Sequence, residues 1–79
     1  MKVAERGGFR VYVYREVGQP HHLPHCNVRW ADGDAQVDLP GMRQMIGTSL
    51  PRAARRLLED EREAIIAAWN ALNPERSAG

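Results

Sequence analysis

A chain of 79 residues with 43% hydrophobic and 27% charged side chains describes one small domain with an ordinary core, and excludes a disordered polymer. Eleven Lys and Arg against ten Asp and Glu leave a formal net charge of +1, so no global charge announces nucleic acid or a membrane surface as partner. No apolar run approaches the ~20 residues that span a bilayer, and Met1–Arg6 lacks the apolar stretch of a signal peptide, which makes the cytoplasm the expected location.

The single cysteine, Cys26, rules out a disulfide framework and suits a reduced compartment. Gly7-Gly8 opens the first clear strand, Phe9 to Arg15, in which Phe9, Val11 and Val13 alternate with Arg10, Tyr12 and Tyr14. Gly18, Pro20 and Pro24 mark a loop from Glu16 to Pro24. The second strand runs from His25 to Ala31, with Cys26, Val28 and Trp30 on one side and Asn27 and Arg29 on the other. Asp32-Gly33 signals a hairpin with a primed turn, where glycine supplies positive φ. A third strand follows, Asp34 to Leu39, with Ala35, Val37 and Leu39 inward. Pro40-Gly41 turns the chain, and Met42 to Ile46 reads as a weak fourth strand or a short helix.

The period then changes. Ser49 is placed to cap a helix with Leu50-Pro51 in its first turn and Ala54, Leu57 and Leu58 as its apolar stripe. Asp60-Glu61-Arg62-Glu63 resembles a second capping sequence, followed by Ala64, Ile65, Ala68, Trp69 and Leu72 at helical spacing. Asn73-Pro74 stops this helix and Glu75–Gly79 reads as a frayed tail. The expected fold is α+β: a three- or four-stranded antiparallel sheet with two C-terminal helices packed on one face. One domain spans residues 1–74, and 75–79 are expected to be disordered.

An ordered set of residues resembles a known family. Gly8-Phe9-Arg10, the run His21-x-x-Pro24-His25-x-x-Val28, the Leu50-Pro51 helix start and Trp69 are similar to the bacterial family called domain of unknown function 4160. The resemblance covers the chain from about Gly7 to Leu72. It implies a small cytoplasmic protein, commonly encoded beside another small protein in a toxin–antitoxin-like pair, and implies no particular reaction. The family loop reads approximately His-x-Pro-Pro-His-x-His-Val. Here it is His21-His22-Leu23-Pro24-His25-Cys26-Asn27-Val28, so Asn27 stands in place of the third histidine.

Several groups are candidates for function. His21, His22, His25 and Cys26 fall within six residues and are zinc-type ligands, but alternation sends His25 and Cys26 to opposite faces. No metal or other cofactor is therefore expected. His21 and His25 are the candidate catalytic pair for a ribonuclease-type toxin, since imidazole transfers protons near neutral pH. Arg52, Arg55 and Arg56, with Arg43 upstream, form an acid-free basic stretch suited to phosphate, an acidic partner or plain solvent. Tyr12 and Tyr14, with Arg29 nearby, lie opposite the apolar side of the first strand and are exposed if the helices cover that side. The expected partner is a small cognate protein or a second copy of the chain. Nucleic acid has weaker support, no membrane contact is expected, and binding is favoured over catalysis.

Overall fold

The computed structural model describes residues 1–16 and 23–79. Five strands come first: β1 (Lys2–Arg6), β2 (Phe9–Tyr12), β3 (His25–Trp30), β4 (Gly33–Asp38) and β5 (Gln44–Gly47). Two helices follow, α1 (Arg52–Asp60) and α2 (Arg62–Leu72), then a 3-10 turn over Pro74–Arg76. The strands lie in the order in which they occur, each antiparallel to the next. The expected α+β class with two C-terminal helices holds, with five strands in place of three or four.

The additional strand is β1, and its sequence explains why it is hard to read. Only Val3 and Ala4 are apolar among Lys2, Glu5 and Arg6, and a bulge between Lys2 and Ala4 breaks the alternation. Gly7 and Gly8 take φ of 58° and 84°, so they are the two-residue turn of a β1–β2 hairpin. The segment 42–46 resolves as a turn followed by β5. Asp38 shapes that turn: its carboxylate accepts the Arg43 N–H and its carbonyl accepts the Met42 N–H.

The β3–β4 hairpin forms where expected but by a different device. Trp30 pairs with Gly33, so Ala31 and Asp32 make the turn, and neither has positive φ. Gly33 serves packing: a Cβ there would stand 2.4 Å from the Thr48 hydroxyl oxygen.

Val11, Val13, Cys26, Val28, Ala35 and Val37 line one side of the sheet, and Ala54, Leu57, Leu58, Ile65, Ala68 and Trp69 cover them. Trp30 is only half-buried, packed against Phe9 with ring centroids 5.6 Å apart, rather than a core residue. Ala64 is exposed and stands outside the α2 stripe. The helices divide near Asp60 as expected, yet neither proposed cap is used. Pro51 precedes α1 and Glu61 precedes α2, each without a side-chain cap, while Ser49 is exposed upstream. Asp60 instead ends α1 and accepts from Arg6 Nη1 at 2.7 Å, tying the first strand to the helical layer.

The helical layer closes over the sheet through Asn73, which has no exposed surface. Its amide donates to the Tyr14 and Trp69 carbonyls at 3.0 and 3.3 Å, and its oxygen accepts the Glu16 N–H at 2.8 Å. Residues 74–79 fold back along α2 where a frayed tail is expected. Trp69 Nε1 donates to the Arg76 carbonyl at 2.6 Å, Asn70 binds the Ala78 N–H and the Gly79 carbonyl, and Ala78 is buried. Asn73→Ala leaves the part-buried Tyr14 carbonyl and Glu16 amide without this partner, and is expected to cost about 2–3 kcal/mol. In thermal melts that is a fall in Tm on the order of 10–20 °C. Asn70→Ala, which frees only the chain end, is expected to cost about 1 kcal/mol or less.

Candidate functional site

Because the helices cover the valine side of the sheet, residues of opposite parity project from the other side. Arg10, Tyr12, Tyr14, Asn27, Arg29, Asp34 and Gln36 are all exposed or half-buried there. Tyr12 and Tyr14 stack, with parallel rings 2° from coplanar and centroids 6.2 Å apart. The Arg29 guanidinium lies 5.3 Å from the centre of the Tyr12 ring, within range of a cation–π contact. These contacts follow from register, since Tyr12 pairs with Asn27 and Arg10 with Arg29 on the neighbouring strand. The structure therefore brings Tyr12, Tyr14 and Arg29 together as one cluster.

Beside this cluster is a depression of about 220 Å³ lined by Asn27, Arg29, Asp34, Gln36, Ile46 and Gly47. Ile46 is 62% exposed. The sequence reading missed this part of the surface, because Ile46 sits in the segment whose strand character its periodicity does not decide. The outer edge of β5 is less available than its side chains. Gln44 Nε2 donates to the Gly47 and Thr48 carbonyls at 3.1 and 2.8 Å, and its oxygen accepts the Leu50 N–H. A four-residue strand with a bulged register and a side chain folded over its carbonyls is a poor template for strand addition.

His25 stands apart from that surface. It is 3% exposed and its ring meets Trp69 with centroids 5.6 Å apart. Nδ1 lies 2.9 Å from the Leu23 carbonyl, which can only accept, so Nδ1 carries a proton; Nε2 lies 3.5 Å from the Glu16 carboxylate. This environment joins the strand start to α2 and to Glu16, and gives the imidazole little access to a substrate. His21 and His22 lie outside the described residues, so their relation to His25 is not part of this geometry. Cys26 is fully buried beside Val28 in the core. Among the described residues, no three His, Cys, Asp or Glu side chains gather as a metal site requires.

Arg52, Arg55 and Arg56 are exposed on α1, in the helical layer rather than on the tyrosine side of the sheet. Arg55 Nε donates to the Leu50 carbonyl at 3.3 Å. The two candidate binding sets are thus separate surfaces. No described helix is long and apolar enough to cross a membrane.

Burial pushes the Cys26 thiol up to about 12. In the folded protein it should resist a water-soluble disulfide reagent at pH 8 and react fully once denaturant is added. The sign follows from the raised value: the fold favours the protonated thiol, so its contribution is intact below the ordinary value of 9.0 and is lost as pH climbs toward about 12. Chemical denaturation across that interval should give a shallower loss of stability in Cys26→Ala than in the parent chain.

No curated protein and no solved structure matches this chain significantly. The family described as domain of unknown function (DUF4160) matches residues 8–70, most of the chain, with the tyrosine cluster, His25, the α1 arginines and Trp69 inside the matched span; the protein belongs to that family.

Proposed function

We propose that this protein works by binding, as one component of a toxin–antitoxin-like pair, and that it engages a small cognate protein through the open side of its sheet. The observation that carries this reading is the Tyr12–Tyr14 stack with Arg29 packed over Tyr12, on the side opposite the core. Tyrosine and arginine are the residue types that most often anchor protein interfaces, because each presents a large, partly rigid surface with a polar end. The adjoining depression, with Ile46 at its rim and Asn27, Gln36 and Asp34 as hydrogen-bonding groups, supplies the polar and apolar mixture such an interface uses.

The geometry supports the face over the β5 edge as the contact, since Gln44 occupies carbonyls at that edge. It also favours binding over the ribonuclease alternative. His25 is enclosed by Trp69, Leu23 and Glu16, whereas a general acid or base must reach the proton it moves. A second copy of the chain is the simplest competing occupant of the face, and the cytoplasm is the setting this reading takes for the pair.

The test is co-expression with whichever small protein a neighbouring gene encodes. Tyr12→Ala combined with Arg29→Ala should lower co-purification about tenfold or more while leaving the melting temperature within a few degrees. Unchanged co-purification by this double variant removes the sheet face from the interface. Dimerisation of the chain alone, broken by the same substitutions, identifies a second copy as the occupant.

A further inference from the structure

The start of α1 is electrostatically unfavourable. Pro51 provides no side-chain cap, and the first turn holds no acidic residue. Arg52, Arg55 and Arg56 instead crowd the helix end that already bears partial positive charge from its unpaired amides. Among the described residues none of these three, nor Arg43, has a carboxylate within ion-pair distance. Arg6 and Arg15, by contrast, meet Asp60 and Glu75. Helical spacing makes Arg52, Arg55 and Arg56 neighbours on one surface.

That surface borders a hollow of about 190 Å³ lined by Gly41, Met42, Leu50, Arg55, Leu58 and Glu59. Met42, Leu50 and Leu58 give the hollow its apolar part, and Arg55 and Glu59 its polar part. Met42, adjacent in sequence to Arg43, reaches it from the β4–β5 turn, where it holds a φ of 61°. The hollow thus opens beside Arg55, with Arg52 and Arg56 exposed on the same helix, Arg43 next in sequence to Met42, and Glu59 the carboxylate on its rim.

We infer that this surface receives an acidic segment of a partner protein, which sets an apolar side chain into the hollow and its carboxylates against Arg43, Arg52, Arg55 and Arg56. The inference rests on the reading of the chain as a partner-binding protein and adds a second contact, in the helical layer. Guanidinium forks bind carboxylates through paired hydrogen bonds, which suits an acidic chain as well as phosphate. Two features select protein over nucleic acid. The hollow has no aromatic ring in its lining for a base to stack on. Glu59 stands on its rim, where a peptide can place a neutral residue but a phosphate backbone repeats its charge at every step.

The test uses the full-length chain labelled with nitrogen-15 and a short synthetic peptide of Asp and Glu around one central Leu. The expected result is shifts at the amides of Met42, Arg43, Leu50, Arg55 and Glu59, with those of Tyr12, Asn27 and Gln36 unmoved. Arg52→Glu with Arg56→Glu should weaken peptide binding about tenfold or more. These substitutions put acid at the helix start, where it is favourable, so lost binding is not lost folding. Replacing the peptide's Leu by Ser should also weaken binding severalfold.

Three outcomes overturn the inference: no shifts at these amides, shifts that persist unchanged in the charge-reversed variant, or tighter binding of a single-stranded RNA oligonucleotide of equal charge. The Tyr12→Ala, Arg29→Ala variant should bind the peptide as the parent does. Failure of the sheet-face reading therefore leaves this result standing, and the reverse also holds.

Discussion

One-sided burial governs this molecule. A chain of this length removes only about 60% of its unfolded surface from water, and its apolar side chains suffice to close one side of a five-stranded sheet. The valines of β2, β3 and β4 go under the helices, and the period of two then places Tyr12, Asn27, Arg29 and Gln36 on the other side. The surface available for recognition is a direct result of that parity. A one-residue slip of register would exchange the two sets, so the core that specifies the register also specifies which residues face outward.

The second constraint is polar. Where β2 runs out, Asn73 satisfies the backbone of Tyr14 and Glu16, Arg15 reaches the Leu72 carbonyl, and His25 meets Trp69 and Glu16. Buried polar groups left unpaired are costly, so these bonds set the position of α2 over the sheet more narrowly than apolar packing does. His25 and Asn73, which by type alone are candidates for chemistry, are occupied by this closure. Among the described residues, the tyrosine cluster and the arginines of α1 stay at the surface, outside this closure.

Much of the architecture was legible because alternation and helical spacing are strong in Phe9–Tyr14, His25–Trp30, Asp34–Leu39 and Ile65–Trp69. Several of the misreadings share a physical origin: they concern residues whose role is set by a distant neighbour. Val3 and Ala4 make a strand only because β2 is there to pair with them. Gly33 is glycine because Thr48 comes close, and Asp60 is drawn from a capping position by Arg6, 54 residues away. The tyrosine face could be anticipated from parity. Its extension to Ile46 and the hollow beneath Arg55 could not, because both depend on how β5 and α1 return to the sheet.

The meander has a kinetic meaning. Every strand pairs with its neighbour in sequence, so the β1–β2, β3–β4 and β4–β5 pairs can form through short loop closures, while β2–β3 spans the longer segment between Tyr12 and His25. Asn73 and Arg15 act otherwise, joining segments 57 to 59 residues apart. The sheet's own contacts are local, whereas the cover of its valines comes from residues 54–69 and is tied down at a junction far along the chain.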